Sequence, residues 1–242
     1  MSDPTTEHRR APGEGADIPA IGHPAHVVDD PAEITPEWMA EGLRGGDVGA
    51  VEVTGLRHEP IGTGQMGSSY RFHLEYAADR TTDRAGSATA TDPPAPAPAS
   101  VVVKMVAGDP AGRDVARRGY RKEVGFYSRL AGISRARTPR CWQAAITPDS
   151  RSFTLVLADA HPARPGSLAA GCDARQAADA ARNLAGLHAP FWNSELLDAE
   201  AFWLERPGDA ELAFMGELHV IATTEFVERF RDLGSLDLVE DA

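Results

Sequence analysis

The segment Pro60–Tyr76, P-I-G-T-G-Q-M-G-S-S-Y-R-F-H-L-E-Y, places Gly62, Gly64 and Gly67 in the spacing G-x-G-x-x-G. Lacking Cβ atoms, such a loop can bring backbone N–H groups close to a phosphate. The residues after the third glycine decide the architecture. A dinucleotide-binding fold needs a strand, the glycines, then a helix. Here Tyr70, Phe72, Leu74 and Tyr76 alternate with Arg71, His73 and Glu75, the period of a half-buried strand. Val51, Val53 and Leu56 predict another strand before the glycines. The glycines therefore sit at the turn of a β-hairpin. A plain Gly-rich turn that binds nothing is the alternative at this point.

Charge narrows the partners. The 242 residues carry a net charge of −12 with pI about 5.1, which argues against non-specific nucleic-acid binding. A local basic cluster remains: Arg113, Arg117, Arg118, Arg121 and Lys122, within one predicted helix. The two cysteines, Cys141 and Cys172, form no C-x-x-C, and no two histidines form H-x-x-x-H. No metal site is expected. The N-terminal stretch has no apolar core of a secretory signal, and no run reaches the length of a membrane span. A cytoplasmic protein without membrane partners is the expectation.

Along the chain, residues 1–32 are rich in Pro, Gly, Asp and Glu and read as a disordered arm. Thr35-Pro36 opens a short helix with Trp38, Met39 and Leu43 on one face, stopped by Gly45-Gly46. Residues 77–100 are low-complexity and form an insertion between two strands. Val101-Val102-Val103-Lys104-Met105-Val106 is a buried strand with one lysine inside it. That lysine either snorkels from an edge or has a partner. Asp109-Pro110 opens a helix to about residue 131, with Tyr120, Val124, Tyr127 and Leu130 on its packing face. Glu123 adjoins that face. It is either an ordinary surface glutamate paired along its helix, or the partner of Lys104. Two strands come next, Arg140–Ala145 and Phe153–Leu157, then a Pro/Gly connector and a helix over 174–188. Phe202-Trp203-Leu204 forms an apolar patch, Val220–Phe230 is helical, and the last residues are acidic.

This order resembles the protein-kinase-like fold: glycine hairpin, lysine strand, glutamate helix, two strands, connector, then the Leu/Ala-rich helix ending L-A-G-L-H-A-P-F-W at Leu184–Trp192. It is similar in particular to the aminoglycoside phosphotransferase and ecdysteroid-kinase-like small-molecule kinases, over residues 34–192. The resemblance implies an α+β fold. Its N-lobe, residues 33–158, is a five-stranded antiparallel sheet with an inserted helix. The first helices of a helical C-lobe occupy 159–242. It implies ATP and Mg2+ as cofactors and a small-molecule hydroxyl as phosphoryl acceptor. Gly62, Gly64 and Gly67 would cover the phosphates, Lys104 would contact them, and Glu123 would hold Lys104. Leu157 to Asp159 would be the hinge whose backbone meets the adenine edge.

Two departures stand out. Ser69 occupies the position of a valine that packs on adenine in many kinases. The catalytic-loop aspartate and asparagine, and the Mg2+-binding aspartate, are absent after Trp192: His219 precedes Val-Ile, Gly208-Asp209 lacks its histidine, and Asp237 and Asp241 lie in the acidic tail. His188 belongs to the helix motif and is read as structural. No catalytic residue is assigned, and the chain by itself is expected to have little or no transferase activity. A rival reading makes it a non-catalytic nucleotide-binding or interaction module. A dimer mate or the missing C-lobe would then cover the face of the Leu184/Leu187 helix.

Overall fold

The computed structural model describes residues 27–44, 48, 50–62, 67–77, 96–164, 166–167, 170–204 and 207–231. Five strands form one antiparallel sheet: β1 Val53–Pro60, β2 Gly67–Tyr76, β3 Ser100–Val106, β4 Cys141–Ile146 and β5 Phe153–Ala158. Their spatial order is β1-β2-β3-β5-β4. Around the sheet and beyond it run α1 Pro36–Arg44, α2 Pro110–Gly125, α3 Ala174–His188, α4 Glu195–Ala199, α5 Ala201–Leu204 and α6 Asp209–Phe230. The protein is thus α+β, as expected from its alternation of strand and helix patterns.

Strand β3 explains the plan. Side chains alternate between the faces of a strand. Val101, Val103 and Met105 point into a core shared with Met39 and Leu43 of α1, Phe72 and Leu74 of β2, and Trp142 of β4. Val102 and Val106 belong to the opposite face, with Ala116, Tyr120 and Val124 of α2 and Phe153, Leu155 and Leu157 of β5. The sheet is covered by α1 on one side and α2 on the other. That is why β3 and β5 read as continuous apolar runs, whereas β2, nearer the edge, alternates.

Both flanking helices are capped by the residues the sequence singles out. Thr35 Oγ1 accepts the Trp38 N–H at 3.2 Å, and Asp109 Oδ1 accepts the Gly112 N–H at 2.9 Å. α3 begins at a capping box between Asp173 and Gln176. The glycine stop expected after α1 lies outside the described residues, as do residues 78–95 of the insertion.

Three boundaries differ from expectation. The arm read as disordered to residue 32 is ordered from 27. Val28 is buried and bonded both ways to Thr154: its N–H donates to Oγ1 at 3.0 Å and its carbonyl accepts from Oγ1 at 3.1 Å. A buried strand threonine needs such partners, and the approaching chain supplies them. Residues 1–26 lie outside the described part. The helix expected to reach 131 is α-helical only to Gly125, then becomes a π turn over Phe126–Leu130. Trp203 of α5 packs its ring where a Cβ on residue 125 would sit, so only glycine fits there. Finally, α6 starts at Asp209, eleven residues before the expected Val220.

Contacts divide the chain into two units, 1–204 and 205–242. The second consists, in its described part, of α6. Leu212, Phe214, Met215, Leu218, Val220, Ile221 and Phe226 are all exposed and distributed around the helix. They alternate with Asp209, Glu211, Glu217, Glu225, Glu228 and Arg229 along the same helix. Among the described residues, no helix is long and apolar enough to cross a membrane.

The two-faced core sets a stability expectation. Leu43 is fully buried at the α1 seam. Leu43→Ala should lower the unfolding free energy by about 2–5 kcal/mol, read from denaturant midpoints. A loss below about 1 kcal/mol would mean that α1 does not seal this face.

Candidate functional site

The face of β3 that meets α2 carries Ser100, Val102, Lys104 and Val106 in alternation. Only one of these is charged. Lys104 lies opposite Ser69 of β2 and Leu155 of β5. Its ammonium donates to both carboxylate oxygens of Glu123, at 2.6 and 2.8 Å. The choice left open by the sequence is settled toward the cross-element pair: Glu123 reaches across to β3. Both side chains keep about a third of their surface open, 29% and 30%. The ammonium has three donors, and Glu123 engages two oxygens with them. A fixed, partly open cation of this kind can meet an anionic group from the solvent side without first being ordered.

Two of the three motif glycines are described. Gly67 begins β2 opposite Val106. A Cβ there would stand 2.9 Å from the Met105 carbonyl oxygen and 3.4 Å from Lys104 Cε. The missing side chain lets β2 close on β3 and leaves room for the lysine stem. Gly62, at the mouth of the hairpin, has φ 72°. Its neighbour Ile61 donates its N–H to the Ser69 carbonyl at 2.8 Å. Gly64 lies outside the described residues.

The stretch expected as a hinge, Leu157 to Asp159, spans the end of β5 and the residue after it. Leu157 is inside β5, paired with Val102 on one side and Cys141 on the other, and its side chain is in the α2-side core. The Ala158 N–H already donates to the Arg140 carbonyl at 2.7 Å. Asp159 is the first residue past the strand. Its carboxylate takes Arg71 Nε at 2.7 Å, Arg71 NH2 at 3.3 Å, Ser100 Oγ at 2.7 Å and the His161 N–H at 3.0 Å. That carboxylate is spent within the protein and is not open to a ligand. Burial alone would raise its pKa, but the Arg71 guanidinium, Ser100 and the His161 N–H outweigh it and hold the group at about 2.

This latch from β2 to the end of β5 was missed in the sequence. Its partners are 88 positions apart, and no local pattern joins them. A second long-range lock was missed as well. Glu200, almost fully buried, accepts from Arg129 of the π turn and from Trp203 Nε1. The Arg129 guanidinium draws its pKa down against the opposing effect of burial. This lock ties α4–α5 to the end of α2. Beside it opens an apolar groove of about 450 Å3, lined among others by Phe126, Leu130, Leu187, His188 and Trp192. The expected exposed face of α3 is partly real: Leu184 is half-exposed, while Leu187 lines the groove.

The basic cluster of α2 is largely engaged. Arg113 pairs with Asp29, Arg117 lies near Asp114, and Arg121 donates to the Phe202 carbonyl. Cys141 and Cys172 are free thiols. Among the described residues, no group of three His, Cys, Asp or Glu side chains could hold a metal ion.

Asp159 gives an acid-side test. Its folded pKa of about 2 lies below the ordinary 3.8. The stabilisation is therefore present above 3.8 and disappears as pH falls toward 2. It amounts to about 2 kcal/mol at neutral pH. Asp159→Asn should lower stability at neutral pH and flatten its decline across that window, measured by denaturant unfolding at a series of pH values. Parallel pH profiles for the two proteins would remove Asp159 from the account.

Comparison with known proteins finds no matching family model, no similar curated protein and no similar solved structure.

Proposed function

We propose that this chain holds ATP in the manner of the kinase-like small-molecule phosphotransferases that its sequence resembles. The observation that carries the reading is the Lys104–Glu123 pair, a strand lysine clasped by both oxygens of a helix glutamate. The glycine hairpin lies next to it, with Gly67 making room for the lysine stem. The sheet order β1-β2-β3-β5-β4, with α2 inserted between β3 and β4, is in keeping with an N-lobe of that kind. Energetics point the same way. An ion pair this open contributes only about 0–1 kcal/mol to stability, so folding alone is a weak reason for building it.

In this reading Lys104 donates to phosphate oxygens of ATP. Glu123 keeps the ammonium charged and directed. The hairpin supplies backbone N–H groups and shields the phosphates from water. In kinases Mg2+ bridges the phosphates, but the described residues offer no ligand set for it, and no step is assigned to the cation. Nor do they supply the catalytic base and asparagine of phosphoryl transfer. The acceptor would be a small-molecule hydroxyl, bound outside this half of the site.

A second reading is a nucleotide-binding or interaction module without catalysis. Leu184 of α3 and Trp192 just after it, both exposed within the first unit, favour it, because an exposed apolar patch marks an interaction surface. The nucleotide-binding form of this second reading shares the ATP site with the first. They part at transfer to an acceptor.

Titration calorimetry with ATP tests the shared part. Lys104→Met should weaken ATP binding about tenfold or more while changing stability by less than about 1 kcal/mol. ATP binding that survives Lys104→Met unchanged would overturn the assignment. An ATP-dependent phosphorylation rate that this chain supports unaided, and that Lys104→Met leaves intact, would overturn it as well.

A further inference from the structure

Arg71 occupies the same sheet face as Lys104, one strand away. Ser69 stands opposite Lys104 and Arg71 opposite Val102, two residues further along β2. Two residues of strand span about 7 Å, the scale of a ribose between a base and its first phosphate. From β2 the Arg71 side chain reaches Asp159, just past β5. Because β3 lies between β2 and β5, the side chain crosses β3 to do so.

The guanidinium is held by its edges. Nε and NH2 donate to the two oxygens of Asp159 at 2.7 and 3.3 Å, and NH1 donates to Glu59 Oε1 at 3.3 Å. Asp159 is itself anchored by Ser100 and the His161 N–H. Hydrogen bonds to a guanidinium lie in its plane, so they do not occupy the face turned away from β3. The side chain remains 23% exposed. Asp159 and Glu59, the latter also 3.5 Å from His73 Nε2, surround the guanidinium with carboxylate, which disfavours a phosphate. A planar, neutral ring suits it better. Ser69, where the kinases the sequence resembles carry a base-packing valine, is the smaller side chain.

We propose that the Arg71 guanidinium is the platform on which the heteroaromatic base of the bound nucleotide stacks, with the triphosphate directed to Lys104. The proposal rests on the nucleotide-binding reading above and adds a base-recognition residue to it. Guanidinium planes stack on bases in many nucleic-acid complexes, and pre-ordering by Asp159 removes the entropy of fixing a free arginine. Arg71 contributes the surface, and Asp159 and Ser100 keep it flat and in place.

The test is calorimetric binding of ATP and of inorganic tripolyphosphate to the full chain and to its Arg71→Lys and Lys104→Met variants. Arg71→Lys keeps the charge facing Asp159 and Glu59 but removes the plane. The expected result is about tenfold weaker ATP binding in Arg71→Lys, with tripolyphosphate binding unchanged. Lys104→Met should weaken both ligands. Equal losses for both ligands in Arg71→Lys, or no loss for either, would overturn the platform and leave the phosphate site standing. If Arg71→Lys does not unfold cooperatively, the unsubstituted protein decides. ATP binding at least about tenfold tighter than tripolyphosphate supports a base platform, and equal affinities overturn it. If the unsubstituted protein binds neither ligand, the nucleotide-binding reading fails and the platform fails with it.

Discussion

A single charged side chain on a strand covered from both sides organises this protein. β3 buries Val101, Val103 and Met105 against α1 and Val106 against α2, and between them it carries Lys104. Glu123 fixes the half-buried ammonium with two hydrogen bonds while leaving the pair open to water on one side. α2 therefore has two tasks: its apolar stripe closes the core, and the residue next to that stripe neutralises the lysine. The position of Glu123, one residue before the fully buried Val124, is what allows both.

The rest of the first unit fixes the geometry around this pair. The Arg71–Asp159 latch ties β2 of the glycine hairpin to the end of β5. The Arg129–Glu200–Trp203 lock fastens the short helices to the π turn just beyond Glu123. In each case a carboxylate is paired with arginine and satisfied by further donors, the condition under which a buried charge is tolerated. Their value lies in fixing positions, because removing one partner would strand the other.

The degree to which the sequence could be read varies with the range of the interaction. Element types came from periodicity: the alternation of Tyr70, Phe72, Leu74 and Tyr76 is a strand, and the helix over 174–188 has the bounds expected of it. Caps at Thr35 and Asp109 were legible because capping is local. The extent of order before residue 33 was not, since Val28 is held by Thr154, 126 positions away. Nor was the end of α2, where the ring of Trp203 dictates a glycine. Leu157 to Asp159 carry the hinge expectation through the resemblance alone, since no local pattern marks them. The structure separates them into a core strand residue and a latch.

By itself, the sequence determined the five strands, the helices α1, α2 and α3, the hairpin at the glycines, and Lys104 and Glu123 as a candidate pair. All of these depend on residue type and short-range period. Only the tertiary structure decided that Glu123 reaches Lys104 and not its own helix neighbours, and that Arg71 spans β3 to Asp159. It alone gave Gly67 a packing reason. Those outcomes depend on which strands lie side by side, and strand order arises from burial on two faces of one sheet, a property that no local stretch of sequence carries.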